Sequence, residues 1–172
     1  MKKIYLYGGG FKIPHIGHFN VVKQTLEEVP DIDKFIIYVG AKERGGITQE
    51  QSMGVWEIYK PYLSNKIKIV ASTAPIGSMV RFVKNNKELN EIGFVLGERE
   101  GVEEDKNNST SRVKSVYNKY PNLKTHIIKT TNQNISGTNT RICIMDKNYI
   151  ELKKYLPTIS NGDLKRLISI IK

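Results

Sequence analysis

The sequence predicts an α/β fold built on a parallel sheet with helices on both faces, and three observations carry that prediction. Short β-rich runs alternate with helical patterns, with little spare sequence between them. Parallel neighbours need crossover connections, and this alternation supplies them. One run, FIIYV at 35–39, is apolar nearly throughout, as a strand covered on both faces is. A glycine triplet, Gly8-Gly9-Gly10, directly follows the first β-rich run, at the strand end where such sheets bind ligands.

IYLY at 4–7 reads as the first strand and 17–28 as the first helix, with Pro30 and Asp31 marking its exit. FIIYV is the second strand. Thr48 is the expected N-cap of a helix through residue 62, because Gln51 stands at the capping-box position. Met53, Trp56 and Tyr59 recur along it at helical spacing, which assigns Trp56 to core packing before base stacking. IKIVA at 67–71 is the third strand, and a helix is expected near 78–84. FVL at 94–96 is the fourth strand and THII at 125–128 the fifth, with a helix at 109–120 between them that ends at Pro121. After Ser136 the chain reads as helical throughout, with a break around 157–162. The expected fold is therefore a Rossmann-like, doubly wound sheet of five parallel strands in the order 3-2-1-4-5, with a helical C-terminal tail. The polar stretch 101–111, GVEEDKNNSTS, is the expected mobile loop.

At 172 residues the chain fits one domain, divided here into an α/β core at 1–146 and C-terminal helices at 147–172. Apolar positions in the tail, among them Leu152, Leu156, Leu167 and Ile171, must cover something; a sheet edge or a subunit contact would each serve, so a homo-oligomer stays open. The formal charge of +10 favours an anionic partner. A nucleotide, a phosphorylated metabolite or a nucleic acid would each fit. No apolar run reaches the length of a membrane span, and MKKIYLYGGG lacks the apolar core of a signal peptide. A cytoplasmic protein without a membrane partner is expected. The single cysteine, Cys143, excludes an internal disulfide and a multi-cysteine metal site, and no protein-held metal is expected.

The densest chemical signal is GGGFKIPHIGH. Glycines let a backbone approach an anion closely, and a helix opening behind them offers free N–H groups. His15 and His18 stand three residues apart at that helix start, and two imidazoles so spaced can both donate to phosphate oxygens. Lys12, inside the turn, is expected as an exposed cation that steers phosphate. His126 lies in a strand pattern and reads as packing or surface. The second signal is Ile135-Ser136-Gly137-Thr138-Asn139-Thr140-Arg141, after the fifth strand. Ser136 or Thr138 can cap the helix that starts there, and Arg141 can give a charge-assisted fork to phosphate. Gly97 and Arg99, directly after the fourth strand, and Lys42 and Arg44, after the second, are further candidates at the sheet's carboxyl edge. Each can equally be a plain polar turn or a solvated charge.

The two signals, GGGFKIPHIGH and ISGTNTR at the two ends of an alternating chain, resemble the HxGH nucleotidyltransferase superfamily (cytidylyltransferase-like). The SGTxxR form most resembles the archaeal-type nicotinamide-mononucleotide adenylyltransferases, which also place a basic–threonine stretch and a helix after strand two, comparable to GAKERGGITQEQSMGVWEIY. The resemblance spans roughly residues 4–141. It implies in-line attack by a substrate's phosphate on the α-phosphorus of a nucleoside triphosphate, ATP before CTP, with release of pyrophosphate. With nicotinamide mononucleotide as acceptor the product is NAD, a step of NAD biosynthesis. His15, His18 and Arg141 would be catalytic; Gly8, Gly9, Phe11, Lys12, Gly97, Arg99, Ser136 and Thr138 would bind the nucleotide; Lys42 and Arg44 would meet the acceptor. Mg2+ would accompany the triphosphate.

The chain also departs from the pattern. Gly137 stands where many bacterial relatives have serine, and ICIM after Arg141 lacks the further arginines of the archaeal enzymes. The acceptor therefore stays open. A cytidylyltransferase acting on a phosphorylated alcohol or sugar is the alternative within the class, although its usual RTEGISTT-like signature is absent. A pantetheine-phosphate adenylyltransferase normally lacks the SGTxxR form, and a class I aminoacyl-tRNA synthetase fragment would carry a KMSKS loop. Outside the class, the charge and nine tyrosines would suit a non-catalytic nucleic-acid-binding protein, but no zinc-finger spacing, RNP-like run or arginine-rich tail supports one.

Overall fold

The structure, a computed structural model, describes residues 2–86, 91–99, 107, 111, 123–130 and 135–172, with backbone alone at 98, 99, 125–127, 129 and 130. Strands β1 (Lys3–Gly9), β2 (Lys34–Gly40), β3 (Ile67–Ser72), β4 (Glu91–Arg99) and β5 (Lys124–Thr130) form one sheet in the order β3-β2-β1-β4-β5. Every neighbouring pair is parallel. The described helices are α1 (Ile16–Glu28), α2 (Gln49–Tyr59), α3 (Pro75–Asn85), α4 (Gly137–Met145), α5 (Tyr149–Leu152) and α6 (Asn161–Ile171).

Alternation along the central strands sends side chains to both faces. Tyr5, Tyr7, Ile37 and Val39 join a core with Phe19 and Val22 of α1, Val55, Trp56 and Tyr59 of α2, and Leu167 and Ile171 of α6. On the other face Ile4, Leu6, Ile36 and Tyr38 pack with Met79 and Val83 of α3. The expected parallel α/β sheet covered on both faces is what the chain forms. The C-terminal tail packs on α2, where Gln51 Nε2 donates to the Ile170 carbonyl at 2.9 Å. Among the described residues no helix is long and apolar enough to cross a membrane.

Element boundaries differ from the sequence expectation in places that have local causes. The Thr48 cap and its Gln51 box form as expected, but α2 ends at Tyr59 and a 3-10 turn, Lys60–Tyr62, follows, because Pro61 lacks an amide hydrogen. Helix α3 starts at Pro75, three residues before Ser78, with the proline at the first position where its missing N–H costs nothing. The C-terminal helical run is broken additionally at Lys147, which takes a φ of 53° between α4 and α5. The expected loop at 101–111 and helix at 109–120 lie, but for Asn107 and Ser111, outside the described residues.

Strand β4 is longer than FVL and changes the reading of its end. Gly97, Glu98 and Arg99 do not follow the strand; they belong to it, and pairing with β5 continues to Arg99↔Thr130. On the other side β4 leaves β1 early. Their ladder ends at Tyr7↔Val95, whereas β1 stays with β2 to Gly9↔Val39. The β1–β4 pairing thus stops short at the carboxyl end of β1, the strand at which the order of the sheet reverses.

Candidate functional site

The HIGH segment builds a helix cap out of two imidazoles. His15 is the N-cap of α1, and its Nδ1 accepts from the Gly17 amide at 3.0 Å. The His15 amide in turn donates to His18 Nδ1 at 3.1 Å, the reciprocal pattern of a capping box. The rings stack with centroids 3.8 Å apart and 23° between planes. A ring nitrogen that accepts carries no proton, so these contacts assign the proton of each neutral ring to Nε2. Gly17 is required for the arrangement: a Cβ there would stand 2.8 Å from His15 Cε1. The same Cβ would lie 3.8 Å from Ile135 Cγ2, so the late motif begins beside the histidine pair.

Phe11 backs this cap. Its φ is 51°, in the left-handed region, and its ring is 5% exposed. The ring meets His18, Tyr7 and Trp56 edge-on at centroid distances of 4.9, 5.1 and 5.3 Å. The side chain is thus core packing, and only the backbone of Phe11 stands in the turn. Trp56 is buried with it, as its helical spacing implies. Tyr59, fully buried, donates from its hydroxyl to the Pro14 carbonyl at 2.8 Å and ties α2 to the turn. Burial raises the Tyr59 pKa well above the ordinary phenol value.

Lys12 contradicts its expectation as an exposed cation. It is 2% exposed, and its ammonium donates to the carbonyls of Gly10 at 2.6 Å and Gly40 at 2.8 Å. A stem of four methylenes lets the residue fold back under its own turn, which residue type alone does not reveal. Burial lowers its pKa, and the charge of Arg44 lowers it further.

Arg141 joins the two ends of the chain. Its Nη1 donates to the Lys12 carbonyl at 3.3 Å and its Nη2 to Thr138 Oγ1 at 3.4 Å. Ser136 caps α4, its Oγ accepting from the Asn139 amide at 3.1 Å, so the serine alternative for the cap is the one realised and Thr138 stays exposed. Desolvation lowers the Arg141 pKa, with Arg44 again the charge responsible for the rest. Arg44 is held near it by a two-residue hairpin, in which Arg44 and Ile47 exchange backbone hydrogen bonds of 3.2 and 2.9 Å. Gly45 and Gly46 take φ of 56° and 78°, the backbone such tight turns require.

A cleft of about 190 Å³ opens over these strand ends, lined by Gly8, Gly9, Gly10, Gly40, Ala41, Lys42, Arg44, Thr73, Pro75 and Ile76. It brings together the glycine turn and both acceptor candidates. Gly97 serves packing, since a Cβ there would strike Val21 Cγ2 of α1 at 2.9 Å; the Arg99 side chain is outside the described residues, as is that of His126. Sequence reasoning missed the buried Lys12 staple, the Tyr59–Pro14 bond and the hairpin that carries Arg44. Only the last had a local signal, the Gly45-Gly46 pair.

No protein-family model and no curated protein matches the chain. Among solved structures it is similar to Plasmodium falciparum nicotinic acid mononucleotide adenylyltransferase complexed with APC, with a TM-score of 0.65 at 17% identity over 99% of this chain and 94% of that one. The same enzyme complexed with NaAD gives a TM-score of 0.61 at 15% identity over 99% and 95%. Thermotoga maritima TmcAL bound with alpha-thio ATP gives 0.62 at 15% identity, covering 98% of this chain and 55% of that one. At these identities the likeness establishes the parallel α/β fold of the chain.

Proposed function

We propose that the protein is a nucleotidyltransferase that transfers an adenylyl group from ATP to a pyridine mononucleotide, with release of pyrophosphate. The observation that carries this reading is the meeting of two motifs 129 residues apart, where Arg141 of ISGTNTR reaches the carbonyl of Lys12 in GGGFKIPHIGH. Two solved structures of similar fold, described as nicotinic acid mononucleotide adenylyltransferase complexed with APC or NaAD, support the choice of chemistry. The acceptor is nicotinamide mononucleotide or its acid analogue.

In this reading an oxygen of the acceptor's phosphate attacks the α-phosphorus of ATP. A new P–O bond forms as the bond from the α-phosphorus to the oxygen bridging to the β-phosphate breaks, and pyrophosphate leaves with the electron pair. No side chain forms a covalent bond; positioning and charge stabilisation lower the barrier. The Nε2–H groups of His15 and His18 donate to phosphate oxygens on which charge accumulates. Arg141 and the first turn of α4 behind Ser136 hold the leaving phosphates. Lys42 and Arg44 face the acceptor's phosphate across the glycine turn. Mg2+ enters as part of the triphosphate substrate.

The test is pyrophosphate release from ATP and from CTP against nicotinamide mononucleotide, nicotinic acid mononucleotide and phosphorylated alcohols. Turnover with ATP and a pyridine mononucleotide, lost in His18→Ala, is the expected result. Dependence on CTP and a phosphorylated alcohol would replace it with a cytidylyltransferase. Nucleic-acid binding with a steep salt slope and no turnover would end the enzyme reading.

A further inference from the structure

Lys12 is the buried charge that the reaction just described leaves without a task. Taking an ammonium out of water is costly unless strong partners replace the water. Among the described residues its hydrogen-bond partners are two neutral carbonyls, those of Gly10 and Gly40, and no carboxylate forms an ion pair with it. Arg44 nearby makes the burial harder still. An apolar side chain would fill the same space without that cost, so the cation is there for what its donors do.

Where those donors act is specific. The backbone ladder between β1 and β2 ends at Gly9↔Val39. Gly10 and Gly40 are the next positions in that register, and beyond the ladder the strands' own hydrogen bonds no longer hold the two chains together. A Cβ on Gly40 would already lie 3.5 Å from Gly10 Cα, so the two exits are close, and the ammonium bridges their carbonyls. Both glycines line the cleft, one leading into the histidine cap and the other into Lys42 and Arg44. The backbone of the same lysine receives Arg141 at 3.3 Å.

We propose that Lys12 is a positioning residue, which extends the β1–β2 ladder by one side-chain rung and so sets the distance between the turn that leads from Gly10 to the histidine cap and the segment that leads from Gly40 to Lys42 and Arg44. The proposal deepens the transferase reading and rests on it for its effect on turnover, but the rung itself exists without substrate. Its signature is a loss of alignment, not of binding. An attacking oxygen and a phosphorus held slightly too far apart lower kcat and leave each KM nearly as it was.

Two measurements on the full chain decide it. In Lys12→Met, amide hydrogen exchange without ligand is expected to quicken about tenfold in residues 8–11 and 40–44 and to stay at the wild-type rate in 4–7 and 35–38. With ATP and acceptor, kcat falls on the order of tenfold or more while both KM values stay within about threefold, and Lys12→Arg recovers part of kcat because it keeps its donors. Unchanged exchange in both segments overturns the rung. A raised KM for ATP at constant kcat overturns positioning in favour of direct phosphate contact, and a lower melting point with kcat retained leaves only a structural part. If the wild-type protein turns over no substrate, the transferase reading fails, and the exchange result still decides whether the rung exists.

Discussion

Gly45 lies against Arg141: a Cβ added to the glycine would stand 2.9 Å from the arginine's Cδ. A hairpin that follows β2 thereby seats a side chain that arrives from α4, and neither segment could place the guanidinium alone. The neighbouring Gly46 also has a positive φ, yet a Cβ there meets nothing within 4 Å. Gly45→Ala is expected to weaken ATP binding about tenfold, roughly 1.4 kcal/mol. Gly46→Ala should bind as wild type, while both lose about 1 kcal/mol to backbone strain. Calorimetric titration with ATP and urea unfolding measure the two effects, and equal affinity losses would remove Arg141 as the cause.

Gly17→Ala separates catalysis from stability. Its Cβ would strike the His15 ring, Cε1 at 2.8 Å and Nδ1 at 3.0 Å, and the ring must turn out of its stack on His18. Alanine near a helix start otherwise favours α1 by a few tenths of a kcal/mol. The expected variant is as stable as wild type within about 1 kcal/mol and slower on the order of a hundredfold. Pyrophosphate release and thermal melting on the same preparation check this, and a full-speed variant would deny the histidine stack its role.

Tyr59→Phe probes the tie between α2 and the turn. Removing the hydroxyl leaves the buried Pro14 carbonyl without the donor that now lies 2.8 Å away. A stability loss of about 1–2 kcal/mol in urea unfolding is expected, with the aromatic packing on Phe19 and Trp56 preserved. A loss near zero would mean that the carbonyl finds another donor.

Alkaline stability depends on the far end of the sheet. Tyr5 lies across Gly93, whose missing Cβ makes room for the ring, and burial, the Glu91 charge and a hydrogen bond to Glu91 raise its pKa from 10.0 to about 12. The folded pKa is above the unfolded one, so the folded chain keeps the phenol proton longer. The contribution is whole below about pH 10 and is lost as pH rises toward 12. Urea midpoints measured from pH 9 to pH 12 should fall less steeply in Tyr5→Phe than in wild type, and parallel curves would exclude Tyr5 as the source.

The local patterns of the chain were legible because they depend on nearest neighbours along it. Thr48 and Gln51 formed their capping box, Trp56 and Tyr59 went into the core, and the parallel α/β class followed from alternation. Strand ends were less legible, because pairing partners decide them: β4 runs to Arg99 because β5 pairs with it that far. Gly97, by sequence either a ligand contact or a plain polar turn after the strand, lies within β4 and against Val21.

By itself the sequence determined where the chemistry-bearing residues stand along the chain: a glycine turn, two histidines at a helix start and an Arg-bearing helix start late in the chain. Tertiary structure alone decided how they meet. Lys12 turned inward to the carbonyls of Gly10 and Gly40, Arg141 crossed to the Lys12 carbonyl, and Gly45 made the space for it. The physical reason is range. Capping and periodicity act over three or four residues, whereas a buried cation is satisfied by whichever carbonyls folding brings to it, here one two residues away and one 28.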